Sequence, residues 1–345
     1  MDLFLFDHEM YEFYYNCSIY TTEEWTSFGV KQTAIGVYSI ILGVIMMGLH
    51  IPCAKVMLRQ DLWDLPCYKL MFFNSVIDIW GIFHTCFLSA ILSIQGAVFC
   101  SYPTFMYISG AICMGMWGAQ CSIIVILALN RCFEIWQKPI LTRIFEGWNI
   151  VFWYSISILW ALFMFMYGSP AIFNSVVNMW MMDPYVGIPG INADRTPYEN
   201  VVTLSINNLV TFFGLSSCYI FLLFSLSYKS RHATSGALSR VQRQVSLQAC
   251  IICFFIYMTG SLYVFFEFCP TCVTPIYVTI NFFLYQWGFC GAILVYMFMN
   301  KTLHRGVIEF YMGLFGYKLP TVASISQGMG TNTRRSQSGR VGSQS

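Results

Sequence analysis

ILALNRCFEIWQKPI, residues 126–140, opens as an uninterrupted apolar run and breaks at Arg131. Upstream the run reaches back to about residue 104, which is long enough to cross a bilayer, since a spanning helix needs ~20 mostly apolar residues. The arginine at its foot has a bland reading, a snorkelling side chain where a span ends. It has a sharper one if other basic, partly apolar segments gather beside it.

The rest of the chain supports a membrane reading. Of 345 residues 57% are hydrophobic and 10% charged, and the mean hydropathy is +0.62. Soluble proteins average ~25% charged residues, so this chain cannot clothe a soluble surface, and lipid must cover it. Seven stretches are long and apolar enough to span: near 32–56, 67–94, 104–130, 147–169, 202–228, 245–268 and 274–300. The N-terminal MDLFLFDHEMYEFYYN carries only acidic charge and lacks the basic start of a secretion signal.

Lys and Arg set the orientation. With the N-terminus outside, the outer segments hold only Lys31 and Arg195 of the 18 basic residues, and the other sixteen fall on the inner side. The expected architecture is an all-α, seven-transmembrane bundle with an outer N-terminal segment (1–31), the bundle (32–300), a juxtamembrane amphipathic helix (301–319) and a disordered cytoplasmic tail (320–345). The juxtamembrane helix is read from Leu303, Val307, Phe310, Tyr311 and Leu314, which recur at helical spacing. The tail is Ser, Thr, Gly and Gln with three arginines and cannot bury a core. The sequon Asn16-Cys17-Ser18 lies on the outer side, where glycosylation is possible, and Asn300-Lys301-Thr302 lies inside. Most of the fourteen cysteines fall within spans or at their inner ends and act as small apolar residues. Cys17, Cys100, Cys269 and Cys272 face the oxidising side. The CPTC pair at 269–272 has no second pair to complete a metal site.

Polar groups inside spans are functional candidates because lipid makes them costly. Asp78 is the only acid deep in a span, about 15 Å above the inner end, and Gln120 lies at similar depth, eleven residues above Arg131. Gln120, Arg131, Trp117 and Cys113 share one helical face, expected to point into the bundle. Asp78 with Gln120 reads as a polar centre, either a switch or a pair that only fixes packing. In the outer half, His84, Cys113, Trp117, Asn207, Asn208, Glu267, Asn281 and Gln286 combine aromatic and polar groups as a small-molecule pocket requires; any one of them alone is equally a packing hydrogen bond. The Pro- and Gly-rich connection at 170–201 is long enough to cover that pocket. On the inner side, Lys229, Arg231, Arg240 and Arg243 supply a basic rim around Asn130 and Arg131 that suits a partner's helix.

Together, YNCS, CYKLMFF with Asp78, GAVFCSYP, LALNRCFE, FNSVVNMWMMDPY, QWGFCG and VYMFMN resemble the nematode serpentine chemoreceptors of class T, within the rhodopsin-like G-protein-coupled receptors. The resemblance runs from residue 15 to about 300. It implies a rhodopsin-like fold, a small external ligand, a heterotrimeric G protein as partner, the plasma membrane as location and, more narrowly, a sensory cilium. Asn130-Arg131-Cys132 stands where such receptors carry an acidic-Arg-Tyr triplet, so the acid that clamps the arginine at rest is missing from that place. Tyr296 matches the tyrosine of the Asn-Pro-x-x-Tyr signature, with Ala292 and Ile293 in place of Asn and Pro. The usual disulfide to the second outer loop has no cysteine at 170–201, and Cys17 with Cys100 is its expected substitute; Cys269 with Cys272 would close a tight loop.

Rival classes fare worse. A transporter or channel needs paired charges along a polar path, and no cation faces Asp78. An intramembrane enzyme needs a paired Asp, HExxH or GxSxG, and none is present. A retinal Schiff base needs a lysine that the seventh span lacks before Lys301. The reading calls for no cofactor, no metal and no nucleic acid.

Overall fold

The computed structural model describes residues 1–136, 143–191, 198, 202–232, 251, 254, 256–262, 265 and 274–317. Three short helices come first: α1 (Asp2–Phe6), α2 (His8–Tyr14) and α3 (Thr22–Phe28). Long helices follow: α4 (Thr33–Met57), α5 (Pro66–Gln95), α6 (Pro103–Trp136), α7 (Asn149–Tyr167), α8 (Val202–His232) and α9 (Pro275–Met299). A hairpin of β1 (Ile172–Asn174) and β2 (Met179–Met181) lies between α7 and α8, and α10 (Lys301–Leu314) follows α9. Among the described residues six helices are long and apolar enough to cross a membrane. The remaining expected span, 245–268, lies largely outside the described residues, although 256–262 are helical.

Local sequence starts and stops these helices. Proline opens α5, α6 and α9, where its missing N–H costs nothing. Thr21 and Glu24 form a reciprocal capping box on α3. Gly96, at φ 72°, ends α5 in the left-handed region, and there its carbonyl approaches Gly29 so closely that a Cβ on Gly29 would sit 1.8 Å from it. The long helices are apolar all round, because lipid covers one side and the bundle the other. Ile41, Val44 and Ile45 on α4 and Ile220 and Phe224 on α8 lie exposed on the outer surface.

α6 is the central element. Of its most apolar window 72% is buried, against 17% for α7. It packs against α5, α7 and α8. It also runs six residues beyond the end expected at 130, because Cys132, Phe133, Ile135 and Trp136 continue the apolar pattern and Glu134 pairs back to Arg131. Arg131 is therefore inside the helix, more than a turn from its end.

The N-terminal segment is largely helical. It folds over one end of the bundle as a cap. Cys17 is bonded to Cys100 just ahead of α6. Trp25 is buried, with its indole N–H donating to Cys17 O at 2.9 Å. The hairpin completes the cap: Phe173 pairs with Trp180, and Trp180 drives its ring into the bundle, fully buried. Length and Pro/Gly content mark 170–201 as a long connection, and in its described part Asn174 holds the chain by accepting Val176 N–H and donating to Val186 O.

At the opposite end α10 lies against α4. Leu303 and Val307 are buried, whereas Leu314, expected on the same stripe, is exposed at the last residue of the helix. Asn300 caps α10 by accepting Leu303 N–H at 3.2 Å.

Candidate functional site

The buried face of α6 organises three levels. At the middle, Asp78 is fully buried. Its Oδ1 accepts from Gln120 Nε2 at 2.8 Å and its Oδ2 from Asn74 Nδ2 at 2.7 Å. Asn74 escaped the sequence reading although it lies one helical turn before Asp78 on the same face, the spacing that brings i and i+4 together. The amide oxygens Asn74 Oδ1 and Gln120 Oε1 have no donor among the described residues. Buried oxygens of this kind are few in native proteins and usually hold water or an ion.

Toward the cap, Trp117 donates to Asn208 Oδ1 at 2.9 Å, and Trp160, on α7, donates to Asn207 Oδ1 at 2.8 Å. Cys113 Sγ is 2.9 Å from Tyr285 OH, and the Trp117 ring meets Tyr285 edge-on at 6.0 Å. The His84 ring lies tilted against Trp180 at 4.2 Å, and Trp180 is held by its N–H to Ser89 Oγ at 2.8 Å. The residues from Phe83 to Leu88 form a π-helical turn. There Gln286 Nε2 donates to Thr85 O at 2.9 Å and to Ser39 Oγ at 2.8 Å, joining α4, α5 and α9. π turns disturb the regular backbone ladder and concentrate at functional sites. Gly81, just below, lets α9 approach: a Cβ there would lie 2.0 Å from the Phe289 ring. Asn281 is buried on α9, its Oδ1 without a donor among the described residues.

Of the pocket candidates, Cys113 and Trp117 share one cavity with Trp180, Met182, Leu204 and Tyr285. Its space is about 20 Å³, enough for a water molecule. A side crevice between α8 and Gly260, Ser261 and Phe265 has about 220 Å³ and reaches Asn208. His84, in its ring contact with Trp180, and Asn207 and Gln286, in their hydrogen bonds, do not line the Trp117 cavity. Glu267 lies outside the described residues. Tyr285 and Trp180, absent from the list of pocket candidates, are aromatic walls of that cavity; Trp180 lies within the FNSVVNMWMMDPY stretch, but only the fold brings it beside Trp117.

At the end away from the cap, Arg131 Nη1 donates to Glu134 Oε2 at 2.7 Å, and Nη2 approaches Met71 Sδ at 3.7 Å. An acidic partner for Arg131, absent at residue 130, thus stands one turn later at Glu134. Its signal was the i, i+3 spacing of Arg131 and Glu134. Asn130 is buried, with Oδ1 lacking a donor among the described residues, and so is Tyr296, whose hydroxyl lacks a partner there. Lys229 donates to Ile135 O at the end of α6 and lies over the Trp136 ring at 5.7 Å. Arg231 is exposed nearby. Arg240 and Arg243 lie outside the described residues. Asn16 is half-buried, its Oδ1 accepting Ser18 N–H at 2.8 Å.

In the cap, burial pushes the phenols of Tyr11, Tyr15, Tyr185 and Tyr198 above their ordinary range. They are neutral hydrogen-bonding groups at neutral pH. Tyr185 donates to Asn16 O at 2.9 Å, and Tyr198 donates to Tyr14 O.

The architecture has known counterparts. Squid rhodopsin, in its crystal structure, superposes with a TM-score of 0.62 at 12% identity, covering 96% of this chain and 99% of that one; at that identity the likeness is one of fold. Serpentine receptor class T-55 of Caenorhabditis elegans is 25% identical over 240 residues, 69% of this chain. The match spans 64% of that relative's length. The family model for the serpentine type 7TM GPCR chemoreceptor Srt matches residues 2–315, and the chain belongs to that family.

Proposed function

We propose that this chain is a chemosensory receptor of the plasma membrane, in a sensory cilium, that binds a small external ligand and activates a heterotrimeric G protein. The observation that carries the reading is the buried face of α6. One helix links the Cys113–Trp117 cavity, the Gln120–Asp78–Asn74 centre and the Arg131–Glu134 pair. A ligand that favours a more open arrangement near Trp117 shifts the bundle only by its difference in affinity between the two arrangements. The donor-less oxygens around Asp78 give the centre a second way to bond. Opening at the far end frees Arg131 from Glu134, and Arg131 with Lys229, Arg231, Arg240 and Arg243 then meets the G protein. The cap faces outward with Asn16 glycosylated, and α10 lies on the inner leaflet.

Arg131→Ala at equal surface expression should abolish G-protein activation; unchanged activation rejects the reading. Sidedness is tested separately. On intact cells, an impermeant thiol reagent should label Cys17 and Cys100 only after an impermeant reductant. Labelling that requires permeabilised cells would place the cap inside.

A further inference from the structure

Three voids in the cap-side half of the bundle share walls in succession, and no charged side chain lines any of them. The innermost is the 20 Å³ cavity of Cys113, Trp117 and Tyr285. A gap of about 10 Å³ comes next, which Trp117 also lines, with Cys121, Asn208 and Gly260. The last is the side crevice of about 220 Å³, which shares Asn208, Phe212, Gly260 and Ser261 with that gap. Asn208 thus borders the crevice while its Oδ1 holds the Trp117 indole at 2.9 Å.

The crevice opens sideways, and no residue of the cap lines it. Its rim carries Phe213, 63% exposed, and Phe265, 45% exposed. Ile206, Val210 and Phe213 form one exposed apolar stripe on α8, so the mouth faces the bilayer. The approach from the cap is occupied. Trp180 and Met182 wall the Trp117 cavity, Trp180 is fully buried, and the Cys17–Cys100 bond ties the cap down just ahead of α6. Inside the crevice, Ser261 is half-buried and spends its hydrogen on Tyr257 O at 2.7 Å, which leaves its oxygen free to accept. Gly260 leaves the floor open: the nearest atom to a Cβ placed there is Asn208 Cγ at 3.9 Å.

We propose that this crevice takes up an uncharged, apolar small molecule from the bilayer, one with a hydrogen-bond donor for Ser261, and that the molecule reaches Trp117 past Asn208. The occupant is a small solute, not a phospholipid chain. The volume lies below the ~300–1,000 Å³ of drug-sized pockets, and an acyl chain has no donor for Ser261. The proposal rests on the receptor reading and names the ligand class and its route. Its test reads occupancy without a G protein, so Arg131→Ala should behave as wild type there, and either reading can fail alone.

The test uses the full-length receptor in nanodiscs, an octanol bearing a diazirine on its chain as photoprobe, and mass spectrometry to map the adducts. Wild type should carry adducts at Leu209, Phe213, Ser261 and Phe265 and, more weakly, at Cys113 or Trp117. Excess octan-1-ol should suppress these, but not adducts at Ile220 and Phe224, which report plain contact with lipid. Gly260→Leu fills the floor and should abolish the suppressible adducts, those at Cys113 and Trp117 included, while Ile220 and Phe224 still label. Ser261→Ala removes only a hydroxyl, so the fold persists, and octan-1-ol should compete about fivefold less well. Three results would overturn the proposal: crevice adducts that excess octan-1-ol leaves unchanged, undiminished labelling at Trp117 in Gly260→Leu, or equal competition in Ser261→Ala. Stronger suppression by octylamine or octanoate would overturn the uncharged class.

Discussion

Tyr311 of α10 donates its hydroxyl to the carbonyl of Gly48 in α4. Pro52 sits inside α4, four residues after Gly48, and has no N–H to satisfy that carbonyl. A side chain from the end of the described chain thus fills a gap that a proline opens in the first long helix. Lys55 lies over the Phe310 ring at 5.1 Å and Arg59 pairs with Glu309 at 3.6 Å, holding the same two helices together.

The first expected outcome follows directly. Tyr311→Phe should cost about 1 kcal/mol, read as a lower unfolding temperature of the purified receptor. Pro52→Ala restores a backbone donor to Gly48, so the same change in that background should cost much less. Equal losses in both backgrounds would mean that the hydroxyl does not serve Gly48.

The polar centre makes a graded prediction. Asp78→Ala leaves the amide donors of Asn74 and Gln120 buried without an acceptor and should destabilise by about 2 kcal/mol. Asp78→Asn should cost less, about 1 kcal/mol or below, because the unpaired oxygens of Asn74 and Gln120 can accept its amide once one of them turns over. Thermal unfolding of the two variants in one detergent decides it; an Asn variant as unstable as Ala contradicts the network.

The Arg131–Glu134 pair should restrain basal activity. It is partly exposed, with side chains 14% and 36% accessible, so its contribution is about 0.5–1 kcal/mol. Glu134→Gln should therefore raise ligand-free nucleotide exchange on the G protein by roughly two- to fivefold. Basal exchange at or below wild type would assign the restraint elsewhere.

The cap should respond to alkali. Its buried phenols have folded pKa values above their unfolded value near 10. Their contribution is then complete below pH ~10 and is lost as pH rises from there toward the raised values. Tyrosinate absorbance should appear late for these residues and coincide with a change in Trp25 emission. Tyr15→Phe should blunt that transition. A cap that loosens between pH 6 and 9 would point to other groups.

The sequence by itself determined the lipid-covered helices, because apolar length and scarcity of charge are properties of local composition. It also brought out Asp78 and Gln120 at one depth and the shared face of α6, because helical rise and periodicity convert spacing into position. Tertiary structure alone decided the rest. Asn74 became a donor to Asp78, and Glu134 an acceptor for Arg131, only when rotamers on one face brought the groups together. Trp180 and Tyr285 reached the Trp117 cavity from a hairpin and a distant helix, contacts between residues far apart in the chain that no local pattern encodes. The tyrosines of the cap met the same way: Tyr14 meets Tyr198, and Tyr15 meets both Tyr107 and Tyr198, edge to face, although these residues lie far apart in the chain.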